Sequence, residues 1–123
     1  MKYACLVYGD EKAMHEFPVD ECIAYSEEIE KSGHRLGGEA LQPVETATTV
    51  RVRSGSVSTT DGPFAETKEQ LAGFYLIEAR DLNEAIRIAS RIPPARIGSI
   101  EVRPVRELAP QQQHGAGAVA GAP

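Results

Sequence analysis

An α+β fold, with two βα units sharing one antiparallel sheet in the split βαβ, ferredoxin-like manner, follows from three features of the sequence. Two apolar runs, residues 3–9 and 71–79, are rich in aromatic and β-favouring side chains and read as strands. Two amphipathic stretches, residues 20–32 and 81–92, carry helix start and stop signals. The whole order is then β-α-β-β-(short arm)-β-α-β, which places a central antiparallel sheet beneath two helices.

The first strand is apolar on both faces, with Tyr3, Cys5 and Val7 on one and Ala4, Leu6 and Tyr8 on the other. Such a strand is covered on both sides. Residues 9–18 read as a loop. Asp20 is the expected N-cap of the first long helix, in which Cys22, Tyr25, Ser26 and Ile29 fall at i, i+3, i+4 and i+7 and so face the core. Gly33 stops this helix as its C′ residue. Residues 35–41 read as a short, glycine-containing strand ended by Pro43. Residues 48–53 alternate, Val50 and Val52 one way and Arg51 and Arg53 the other, and Ser54-Gly55 turns the chain back into an arm over 56–60. Residues 71–79 form the most apolar strand. Asp81 and Glu84 make a capping box for the second helix, whose expected inward side chains are Leu82, Ala85, Ile86 and Ala89, and Pro93-Pro94 ends it. The last strand spans 97–105, with Ile100 and Val102 inward. Both helices pack on one face of the sheet, yet two strands are apolar on both faces. A bare apolar face of that size is an interface, and a second copy of the same sheet covers it most simply, as an isologous homodimer.

The 123 residues suit one domain, assigned to 1–106, followed by a low-complexity tail, 107–123, too poor in apolar area to offset its own ordering entropy. The net charge of −5 argues against nucleic acid and against an anionic membrane surface as partners. The N-terminal apolar run is shorter than a signal or membrane segment, so a cytoplasmic location is expected. Cys5 and Cys22, the two cysteines, lie in different elements outside any C-x-x-C pattern and read as buried thiols. His15, His34 and His114 have no partners at metal-ligand spacing, so no metal is expected, and no cofactor is implied. Gly37-Gly38 lacks a phosphate-loop pattern, and the Ser/Thr run at 56–60 has no neighbouring histidine to activate it.

The segment with the richest chemistry is Asp61-Gly62-Pro63-Phe64-Ala65-Glu66-Thr67-Lys68-Glu69, which runs into the strand bearing Tyr75. Asp-Gly-Pro is turn chemistry, Phe64 suits a plug at a sheet edge, and the charges suit a solvated face. Taken together they suggest more. A rigid turn brings Asp61, Glu66 and Lys68 beside one another, an arrangement suited to a polar ligand or to acid–base work when partly buried. Tyr75 adds a hydroxyl over an apolar floor. Asp61, Phe64, Glu66, Lys68 and Tyr75 are therefore the candidate ligand-binding residues.

That segment, with Gly73-Phe74-Tyr75, Glu101-Val102-Arg103-Pro104 and Gly37 to Pro43, resembles the DGPF-domain branch of the YciI-like (YCII-related) family over residues 1–106. The resemblance implies a dimeric α/β barrel of ferredoxin-like subunits. Some members of the wider family carry a His–Asp pair in the cleft. Here the histidine position, eleven residues before Gly33, holds Cys22, and the position before Pro93 holds Ile92, so that pair does not carry over. Two functions stay open. One is binding of a small polar molecule in a cleft by the DGPF loop, with acid–base catalysis as its extension. The other is a non-catalytic accessory or regulatory domain that works through protein–protein contact.

Overall fold

The computed structural model describes residues 1–108; the remaining residues, which hold most of the expected tail, lie outside the described part. The elements are β1 (Lys2–Gly9), α1 (Glu11–Glu16), α2 (Val19–Lys31), β2 (Arg35–Ala40), β3 (Thr48–Arg53), β4 (Ser56–Asp61), β5 (Gln70–Glu78), α3 (Leu82–Ser90) and β6 (Ser99–Pro104). Short 3-10 turns occupy Val44–Thr46 and Pro93–Arg96. Four strands make one antiparallel sheet in the order β2-β5-β1-β6, and β3 pairs with β4 in a separate two-stranded sheet. With the β3–β4 hairpin set aside as an insertion, this is the ferredoxin-like strand order.

The register decides which side chains meet. Cys5 lies opposite Tyr75 on one side and Val102 on the other, and Leu6 opposite Phe74 and Glu101. Residues directly opposed in a ladder share a face. One face thus carries Tyr3, Cys5, Val7, Tyr75, Ile77, Ile100 and Val102. Its strand residues join Tyr25 and Ile29 of α2 and Ala85, Ile88 and Ala89 of α3 in a single core, closed by Ile92. Both long helices therefore pack on this face, and each large aliphatic side chain buried there contributes about 1.5–3 kcal/mol. The opposite face carries Ala4, Leu6, Tyr8 and Leu76, all half-buried, and Phe74, 37% exposed.

Several expectations need correction. Residues 9–18 are not a loop throughout, because Asp10 caps α1 by accepting a hydrogen bond from the Ala13 amide at 3.2 Å, and no breaker intervenes before Pro18. α2 starts one residue before Asp20, with Pro18 in the cap position and no side-chain cap bond; Asp20 and Glu21 sit in its first turn, where they complement the helix dipole. Tyr25 and Ile29 are buried as expected, but Cys22 and Ser26 are only half-buried. In α3 the buried set is Ala85, Ile88 and Ala89, while Leu82 and Ile86 are 50% and 49% exposed. The inward stripe runs 85, 88, 89 and 92, because Ile92 follows the helix into the core and sets its phase.

Local signals elsewhere are met in the structure. Gly33 ends α2 with φ +83°, and Ser54 and Gly55 turn the hairpin with φ 51° and 78°, both positive as a type I′ turn requires. The Asp81 carboxylate accepts the Glu84 amide at 2.9 Å. The Glu84 carboxylate reaches one residue further back than a capping box does, to the Arg80 amide at 2.7 Å.

Candidate functional site

Where α2 crosses the β2–β5 side of the sheet, it does not seal it. A cavity of about 410 Å³ remains, within the range that holds small organic ligands. α2 contributes Val19, Cys22, Ile23, Ser26, Glu27 and Glu30 to its wall. β2 contributes Arg35, Gly38, Glu39 and Ala40, and β5 contributes residues 72–75. Val7, Met14 and Pro94 complete the lining, so most of the wall is apolar.

Gly38 permits this geometry. It lies opposite Tyr75 with φ +150°, and a Cβ there would stand 2.5 Å from the Phe74 carbonyl oxygen. Only glycine allows β2 to lie so close to β5 at this point.

The polar groups within the cavity are few. Ser26 Oγ and Tyr75 Oη stand 3.5 Å apart, at the long limit of a hydrogen bond. Two hydroxyl hydrogens share that one contact, so at least one has no acceptor among the described residues. Burial pushes the Tyr75 phenol above its ordinary value, with the Ser26 hydrogen bond acting in the opposite sense, so Tyr75 stays a protonated donor. Arg35 Nη2 donates to the Gly38 carbonyl at 3.0 Å and Nη1 lies 3.8 Å from Glu30 Oε1, while its buried Nε has no partner among the described residues. The Cys22 thiol is raised, first by burial and then by Glu21, against a smaller lowering by Arg96. A thiol held protonated is a poor nucleophile.

Of the five residues expected to bind a ligand, Tyr75 alone lines this cavity. Asp61 closes β4 opposite Thr48 and is exposed. Phe64 is 79% exposed, with the Arg51 guanidinium 5.5 Å from its ring centroid. Glu66 and Lys68 are exposed on the link between β4 and β5. The turn is tied by backbone: the Gly62 amide donates to Ala47 O at 2.8 Å, and Thr49 Oγ1 donates to Gly62 O at 2.9 Å.

Sequence reasoning missed Ser26, Cys22 and Arg35. A serine at a core-facing helical position was the available signal. Cys22 lines the cavity, and so does Pro94, two residues beyond Ile92. Among the described residues, no group of three or more His, Cys, Asp or Glu could hold a metal ion, and no helix is long and apolar enough to cross a membrane.

The fold and cavity define a ferredoxin-like α+β domain with a small-molecule-sized space between its first long helix and one side of its sheet. The chain belongs to the YCII-related domain family, whose profile matches residues 1–109. It is also 40% identical over 115 residues to an uncharacterized protein of Rhizobium meliloti (strain 1021), covering 85% of this chain and 92% of that one.

Proposed function

We propose that this YCII-related protein is a homodimeric small-molecule binder. Two subunits join through the open sheet face as a dimeric barrel, and each holds a ligand between α2 and the β2–β5 side of its sheet. The observation that carries this reading is the cavity of about 410 Å³ with an apolar wall and an under-bonded hydroxyl pair. The half-buried Leu6, Tyr8 and Leu76 and the exposed Phe74 support the dimer, since an apolar face of this kind is costly to leave in water. Tyr75 and Cys22 both hold their protons more tightly than usual, which suits binding rather than proton abstraction.

A second reading, an accessory domain acting through protein contact, is supported by the hairpin. Val50, Val52 and Val57 are 60%, 56% and 69% exposed on it, and Phe64 is 79% exposed beside it. Asp61, Glu66 and Lys68 then form the charged rim of a recognition surface.

A fragment screen followed by amide NMR shifts, with sedimentation of the same sample, tests both readings. A dimer whose Ser26, Gly38 and Tyr75 amides shift saturably supports the first. A sample with no saturable shift at the cavity overturns it and leaves the hairpin surface as the working site.

A further inference from the structure

We propose that the cavity selects an uncharged, mostly apolar ligand bearing one carbonyl oxygen, and that the Tyr75 hydroxyl is the group that recognises this oxygen. The inference rests on the small-molecule reading above and adds the chemical class of the ligand.

Three observations point to that class. The first is the hydroxyl pair. Ser26 Oγ and Tyr75 Oη share a single 3.5 Å contact, so one O–H donor facing a largely apolar space has no acceptor among the described residues. A ligand oxygen can accept from that hydroxyl. Burial keeps the phenol protonated, so it donates. The second is charge. Glu27, Glu30 and Glu39 border the cavity against one basic residue, Arg35, whose Nη atoms contact the Gly38 carbonyl and Glu30 and whose Nε has no partner among the described residues. A carboxylate ligand would meet three carboxylates against this one cation, more like charge than unlike charge. An ammonium ligand, having no acceptor, would leave the hydroxyl hydrogen unmet. The third is the wall. Val7, Met14 and Ile23 offer apolar contact along the rest of the space, which rewards a hydrocarbon body.

Four probes of similar size separate the alternatives: acetophenone, ethylbenzene, benzoate and benzylamine. Each is titrated into the full chain, and the amide shifts of the cavity residues are followed. Acetophenone is expected to bind tightest. Tyr75→Phe keeps the ring and removes the hydroxyl; it should weaken acetophenone about 2- to 10-fold and leave ethylbenzene unchanged. Ser26→Ala supplies an independent comparison should Tyr75→Phe lower the thermal midpoint. Tighter binding of benzoate or benzylamine, equal binding of ethylbenzene, or no effect of Tyr75→Phe on acetophenone overturns the proposed ligand class while the cavity keeps its role. No saturable shift with any probe overturns the binding function itself, and this inference with it.

Discussion

Single side chains fasten the helices to one another. Tyr25 Oη donates to the Ile88 carbonyl at 2.6 Å in a buried setting, and the Arg91 guanidinium lies 5.4 Å from its ring centroid. Burial pushes the Tyr25 phenol up to about 12, so it remains a donor across the working range. Tyr25→Phe removes this bond and leaves the Ile88 carbonyl with the Arg91 amide alone, at 3.2 Å, so urea titration should show a loss of about 0.5–1.5 kcal/mol. Glu84 makes a different kind of tie. The Arg80 amide, then the Arg80 charge and His34, hold its carboxyl below the ordinary carboxylate value. A depressed folded-state value means stabilisation that is present above the unfolded carboxylate range and is lost as pH falls through the lower folded value. The stability gap between wild type and Glu84→Gln should therefore be widest near neutral pH and shrink in acid, which melts across a pH series would record. The cysteines should be slow to react. Burial pushes the Cys5 thiol up to about 11 and raises Cys22 as well, so Ellman labelling of the native protein should lag far behind that of the unfolded chain.

At the scale of elements, legibility followed how local the cause was. The capping aspartate of α3, the Gly33 stop and the Ser54-Gly55 turn each depend on neighbours a few residues away, and each was readable. The phase of α3 was not, because Ile92, outside the helix, chooses the buried stripe. α1 was missed because six residues are too few to show a helical period. The candidate site was mostly illegible for a related reason. Charge density drew attention to the DGPF turn, but a cavity arises where packing fails, and no run of residues marks the place where α2 stands off β2. Of the expected residues Tyr75 alone lines the cavity, with its hydroxyl on an apolar strand. Serine in the apolar stripe of α2 was the overlooked sign. Close strand packing makes its own prediction. A Cβ on Gly98 would lie 2.1 Å from the Tyr8 carbonyl oxygen. Gly98→Ala must push the start of β6 away from β1, and thermal melts should show a loss of about 1–3 kcal/mol or more.

At the scale of the whole molecule, the described residues close one face of the sheet with helices and leave the other open. If two copies meet at the open face, Leu6 lies near the middle of the contact, since β1 is a central strand. Leu6→Lys should then convert the dimer to a monomer in sedimentation while leaving the circular dichroism of the fold intact. Which side chains of β1 share a face follows from a period of two, which needs no tertiary information.

The hairpin has a consequence of another sort. β3 and β4 bond to each other and not to the main sheet, and the Gly62 amide fastens their base to Ala47. Such a ribbon is nearly autonomous, and alone it is marginal in water. Its amides should open to deuterium long before those of β1 and β5. The same independence makes it a place where sequence can drift, because changes at Val50 to Val57 do not reach the core cluster. New recognition properties can accumulate on this ribbon while the domain beneath it stays as it is.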